Sequence, residues 1–297
     1  MEKLADLLST EEIKLMKTID ETKLPENPQS KLWKGYQIIP AISPQVIEYF
    51  NDNFPIRKGD VFICSYPKTG SNWTYEVVRQ ILFQNKESDE ITKILSYRPT
   101  FKILGRGPSE KYKIWEKSPL SRRLFYTHLP PQLMNLEKLK KAGAKHEPMK
   151  SMIELGWNKF YEHCIKGDFP QNNKPGEWYP DHILEWYKQK DDVEIRFIFY
   201  EDMKKNLTQE VKKLSEFLDV SLAEDVSRKI AEKCTFTTMK RNVLSETTQS
   251  AKIIAGVMGK GEVGGWKNYF TAAQSQQIDD IMEKKLAATQ ITFTYTL

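Results

Sequence analysis

Eight consecutive residues, Tyr66-Pro67-Lys68-Thr69-Gly70-Ser71-Asn72-Trp73, carry what an anion-binding loop needs. A glycine permits a tight backbone turn, successive amides at a helix start face negative charge, and a lysine adds a mobile cation. Thr69 and Ser71 contribute hydroxyl donors. Because the lysine precedes the single glycine, this is not the G-x-x-x-x-G-K-[ST] loop of ATPases. Alone, K-x-G-S reads equally well as a strand-to-helix turn with a solvated lysine. A second basic loop, Gly259-Lys-Gly-Glu-Val-Gly-Gly-Trp-Lys-Asn268, has four glycines within 259–265 and tips that balance toward phosphate.

A phosphate loop works only if a strand and a helix hold it. Before it, Asp60-Val-Phe-Ile-Cys-Ser65 is a short, nearly continuous apolar run, the pattern of a strand covered on both faces of a parallel sheet. After it, Trp73, Val77, Val78, Ile81 and Leu82 recur at helical spacing. Two further runs, Leu124-Phe125-Tyr126 and Ile195 to Tyr200, read as strands that end in polar residues. Ser43-Pro44 reads as a helix start, with serine accepting from an open amide and proline losing no bond. Helical stretches are predicted at 181–189 behind Pro180, at 211–218, and at 221–233, where Ser221 and Glu224 have capping-box spacing. Strands alternating with helices predict an α/β fold: a central parallel sheet flanked by helices, with a P-loop-like strand-loop-helix. Ligands then sit at the carboxyl ends of the strands.

With 39% hydrophobic and 29% charged residues, a chain of 297 can bury one large core, and no linker or repeat divides it, so a single domain over 1–297 is expected. A net charge of +5 lacks the concentrated basic stripe of a nucleic-acid binder and suits a small anion better. No apolar run reaches the roughly 18 residues that cross a bilayer, so no membrane span is expected. Three cysteines, Cys64, Cys164 and Cys234, argue for a reducing compartment such as the cytosol. The four histidines and these cysteines show no paired metal-ligand spacing.

Five separated motifs, Y-P-K-T-G-S-N-W, T-H-L-P, F-Y-E-D-M, F-T-T-M-K and K-G-E-V-G-G-W-K-N-Y-F-T, occur in the order and rough placement of the cytosolic sulfotransferases. The resemblance runs from about Trp33 to about Lys285. It implies 3′-phosphoadenosine 5′-phosphosulfate (PAPS) as donor and a small, largely apolar hydroxyl or amine as acceptor. Lys68, Thr69, Gly70, Ser71, Asn72 and Trp73 match the loop that binds the 5′-phosphosulfate, with Trp73 stacking on adenine. Tyr200 and Phe236 match positions that complete the adenine pocket, and Lys260 and Gly261 match part of the 3′-phosphate site. His128, in T-H-L-P, matches the general base, a role that a neutral imidazole fills well near working pH. Lys68 would also stabilise charge on the bridging oxygen.

The chain departs from the family's pattern in places. The strand ending in Arg-Asn-Pro-Lys-Asp, with its following Ser, is not found; Leu139 to Pro148 runs directly into 149–167, which resembles a later helix of the family. Met149 to Leu155 is read as a substitute strand. The family's Arg-Lys-Gly is Gly259-Lys260-Gly261, its Gly-Asp-Trp is Gly264-Gly265-Trp266, and Tyr126 replaces the usual lysine before Thr-His. Lysine does not reproduce the two-pronged grip of arginine. The alternative is therefore a catalytically impaired protein of the same fold that lacks most of the 3′-phosphate site. A nucleotide kinase is disfavoured by the missing Lys-[ST] pair. Of the family's dimer signature, Lys267 and Thr271 are kept while Ala272 and Gln276 differ, so a homodimer rests on half a signature.

Overall fold

A computed structural model of the chain describes residues 9–12, 31–39, 42–67, 69–83, 104–107, 109–147, 157–168, 171–245, 255, 258 and 261–295. A hairpin, β1 (Lys31–Trp33) and β2 (Tyr36–Ile38), precedes helix α1 (Pro44–Asp52), whose buried residues Val46, Ile47 and Phe50 form one face. Ser43 stands at its cap in extended backbone, but the hydroxyl turns to Gln45 Oε1 at 2.9 Å and makes no cap bond. Strand β3 (Val61–Cys64) is buried throughout, as its apolar run requires, and leads through the loop into helix α2 (Ser71–Phe83).

The chain continues through α3 (Glu110–Glu116), β4 (Leu124–Thr127), α4 (Leu136–Ala142) and β5 (Lys145–Glu147). The sheet has the order β4-β3-β5, parallel on both sides of β3, with Cys64 opposite Thr127 and Val61 opposite Lys145. β5 is a strand that the sequence did not announce, and it lies where a family strand had been read as missing. Its residues, Lys-His-Glu, have no apolar period, so its position comes from pairing with β3. Met149 to Leu155 lies outside the described residues.

Helices α5 (Trp157–Lys166), α6 (Tyr179–Tyr187), α7 (Tyr200–Lys205), α8 (Leu207–Phe217), α9 (Glu224–Lys233), α10 (Phe236–Ser245) and α11 (Ala272–Leu286) follow. Two sequence expectations are corrected here. Residues 195–199 form no strand, only a bridge at Ile195, and Tyr200 is the first residue of a helix, not the last of a strand. The acidic pair Glu201 and Asp202 suits the positive end of a helix, which explains the early turn. Ser221 does not cap: α9 starts at Glu224 behind Ala223, whose side chain makes no cap bond.

Two apolar clusters form. The larger joins β3, β4, α1 and α2 to α8 and α9; the smaller holds Tyr66, Cys164, Trp178, Tyr179, Ile183, Met282 and Leu286. Tyr66 opens the phosphate loop, so the loop leaves the large core and enters the small one. Cys64, Cys164 and Cys234 are buried and in no disulfide. Among the described residues, no helix is long and apolar enough to cross a membrane.

Candidate active site

Ser65 extends the ladder past β3, its amide donating to Thr127 O at 2.9 Å, so the loop and the T-H-L-P segment leave the sheet side by side. Thr69, fully buried, donates its hydroxyl to Tyr66 O at 2.6 Å and closes the loop on itself. That leaves the loop's backbone, not this hydroxyl, to face an anion. Gly70 sits at φ 90°, a conformation that glycine adopts without strain. Its carbonyl accepts from Trp73 N at 2.8 Å and Thr74 N at 3.2 Å, which starts α2 and directs the amides of Ser71 and Asn72 off the helix end. Ser71 is buried, and the Oδ1 of Asn72 is buried with no hydrogen-bond partner. Lys68 lies outside the described residues.

Trp73 is tethered by its indole, Nε1 donating to Cys234 O at 2.6 Å, and stands edge-on to Tyr200 with centroids 5.1 Å apart. Phe236 begins α10 two residues after that carbonyl. Gly261, at φ 72°, lies against Phe236: a Cβ there would fall 2.5 Å from the ring, so this contact admits only glycine. Burial pushes the Tyr200 phenol up to about 12, with Glu201 and Glu262 adding to the effect. The structure thus draws Trp73, Tyr200, Phe236 and Gly261 to one corner. Lys260 lies outside the described residues.

His128 leaves β4 half-buried. Its Nδ1 lies 2.7 Å from Ser65 O and 3.3 Å from Ser65 Oγ. A carbonyl oxygen only accepts, so Nδ1 carries the hydrogen and Nε2 is the open, unprotonated nitrogen. Burial lowers the pKa of His128 to about 4, against an opposing effect of the Ser65 carbonyl, which favours the neutral ring near pH 7. Tyr126, where the family has lysine, packs edge-on to His128 at 5.4 Å. Burial raises its phenol's pKa, so a neutral group replaces a cation.

Sequence reasoning missed two residues here. Asn172, in the left-handed conformation at φ 62°, donates from Nδ2 to His128 O at 3.2 Å and accepts at Oδ1 from Ile39 N at 2.9 Å, which fastens the histidine's backbone to the hairpin. His182, on α6, is 5% exposed, and its ring stands 5.7 Å from that of Tyr66. Burial lowers its pKa to about 3, and His128 acts in the same direction. Neither residue lies in one of the five motifs, and a lone Asn or His carries little signal.

The carboxyl end of a parallel sheet thus brings together a neutral imidazole, a glycine turn at a helix start and an aromatic corner. A model described as "Sulfotransferase domain" matches residues 58–146 and 139–290. The chain belongs to the sulfotransferase family. Sulfuryl transfer is the chemistry of that family, and its central parallel sheet and P-loop-like loop are the ones described above. Sulfotransferase 6B1 of Mus musculus is 32% identical over 290 residues, covering 91% of this chain and 91% of its own. Sulfotransferase 1C2 of Rattus norvegicus is 30% identical over 294 residues, 91% of this chain and 97% of its own. The crystal structure of mouse sulfotransferase SULT7A1 complexed with PAP superposes with a TM-score of 0.69 at 25% identity, over 89% of this chain and 96% of that one. Retinol dehydratase in complex with androsterone and inactive cofactor PAP shares the fold, with a TM-score of 0.64 at 19% identity over 96% of each chain. The two matched spans overlap at 139–146, a stretch that runs into β5.

Proposed function

We propose that this protein transfers a sulfuryl group from PAPS to the hydroxyl or amine of a small, largely apolar acceptor. The observation that carries the reading is the contact between His128 Nδ1 and Ser65 O, which fixes Nε2 as a base beside the start of the phosphate loop.

The residues present fit the donor. Gly70, Ser71 and Asn72 offer backbone to the 5′-phosphosulfate, and the buried, unpartnered Oδ1 of Asn72 marks a polar spot that a ligand would complete. Trp73 and Tyr200, with Phe236 and Gly261 behind them, suit a purine. Lys68, Thr69 and Lys260 enter through the family motifs, Lys68 and Lys260 as cations for the bridging oxygen and the 3′-phosphate.

In the step assigned to it, His128 Nε2 takes the proton of the acceptor as that heteroatom bonds to sulfur. The bond between sulfur and the bridging oxygen breaks, and its electron pair stays on the phosphate, where Lys68 would stabilise it. The products are a sulfated acceptor and adenosine 3′,5′-bisphosphate.

The deciding experiment is calorimetric titration of the whole chain with adenosine 3′,5′-bisphosphate and, in parallel, adenosine 5′-monophosphate. The bisphosphate should bind at least about tenfold more tightly, a difference of about 1.4 kcal/mol. The rival reading from the sequence is a catalytically impaired protein of the same fold that lacks most of the 3′-phosphate site. Equal or absent binding of the two nucleotides would establish that rival instead.

A further inference from the structure

Beside the proposed base, a second imidazole has no assigned task. His182 lies in the first turn of α6, and that turn is firmly placed: Asp181 accepts from Trp178 N at 2.9 Å and is held from α11 by Lys285. The ring is 5% exposed, yet Nε2 is buried without a hydrogen-bond partner. A buried polar atom left unpaired is costly, and a side chain retained at that cost is explained if a ligand completes it. The surroundings say where the ligand would lie. His182 stands edge-on to Tyr66, the first residue of the phosphate loop, with ring centroids 5.7 Å apart, and the carbonyl of the preceding residue, Ser65, accepts from His128 Nδ1 at 2.7 Å.

Building on the sulfuryl-transfer reading, we infer that His182 binds the reacting group of the acceptor, its Nε2 hydrogen-bonding the same heteroatom whose proton goes to His128. The two rings divide the work. His128 is locked in one tautomer by Ser65 O and can only accept at Nε2. No partner among the described residues locks His182. With hydrogen on Nε2 it donates to one lone pair of a hydroxyl oxygen while the other lone pair attacks sulfur. With Nε2 bare it accepts the second N–H of a primary amine, whose only lone pair stays free. One unlocked imidazole thereby serves both acceptor classes, and the requirement is a polar reacting group at the tip of an apolar body.

The test uses the full chain, its His182→Phe and His182→Gln variants, and two probes, 2-naphthol and 2-naphthylamine. Each probe is titrated with and without adenosine 3′,5′-bisphosphate. His182→Phe should weaken both probes about tenfold, leave bisphosphate affinity unchanged and hold or raise the melting temperature, because it removes an unpaired polar atom. His182→Gln, able to donate or accept, should recover most of the probe affinity. In turnover the loss should fall on acceptor KM more than on kcat. Unchanged probe affinity in His182→Phe, or no probe binding by the wild type, overturns the inference. Failure of the bisphosphate to bind would defeat the donor reading instead, and the nucleotide-free titrations would still judge His182.

Discussion

At the amino end of β3 and β4, Asp60 and Arg123 are 0% and 4% exposed and joined by two bonds, Nε to Oδ1 at 2.8 Å and Nη2 to Oδ2 at 2.6 Å. Arg123 also donates to Trp115 O and Pro55 O, Asp60 accepts from Arg57 N, and the Arg57 guanidinium binds Ser118 O, Leu120 O and Glu116 O. At the carboxyl end of the same two strands, Asn72 Oδ1 and His182 Nε2 are buried without partners. Asp60, Arg123 and Arg57 use their polar groups on one another and on nearby carbonyls. The two atoms at the other end are left open, the pattern that the proposed ligand site would have.

Mutations at the two ends should therefore fail in different ways. His128→Ala should cut turnover by about 10²- to 10⁴-fold, the usual worth of a positioned base, while calorimetry shows bisphosphate affinity within about twofold of wild type. A parallel loss of nucleotide affinity would mean that the ring shapes the loop and is no base. Asp60→Ala strands a buried guanidinium and should lower unfolding free energy by about 3–5 kcal/mol in urea titrations. Bisphosphate affinity of the folded fraction should stay unchanged; if it falls with stability, the two ends are not independent.

Acid gives a smaller effect. His128 and His182 are held near 4 and 3, whereas in the unfolded chain both titrate near 6.5. Below 6.5 the unfolded state binds more protons than the folded one, so stability falls with pH. The contribution is complete above 6.5 and is lost as pH drops toward 4 for His128 and toward 3 for His182. Urea midpoints at pH 7 and pH 5 should differ less in His182→Phe than in wild type. An equal drop in both would place the acid sensitivity elsewhere.

What the sequence disclosed follows the same division. β3, its loop and α2 were legible because burial on both faces, a glycine turn and helical spacing all act locally. β4 and the motif residues Trp73, Tyr200 and Phe236 were legible too, although Tyr200 was placed at a strand end and stands at a helix start. β5 was not legible, since Lys145, His146 and Glu147 carry no pattern and are a strand only through β3. His182 and Asn172 escaped for another reason. Their roles come from what surrounds them in three dimensions: a ring with nothing to bond, and an amide spanning two segments.

The bond from Trp73 Nε1 to Cys234 O joins residues 161 positions apart. At about 5–20 residues per second of synthesis, Cys234 is made roughly 8–30 s after Trp73. For that interval the strand, loop and helix at the centre of the sheet exist without the carbonyl that tethers the indole. The order of synthesis thus makes the aromatic corner a late event in the life of each molecule, set by the ribosome's pace and not by the speed at which the loop itself can fold.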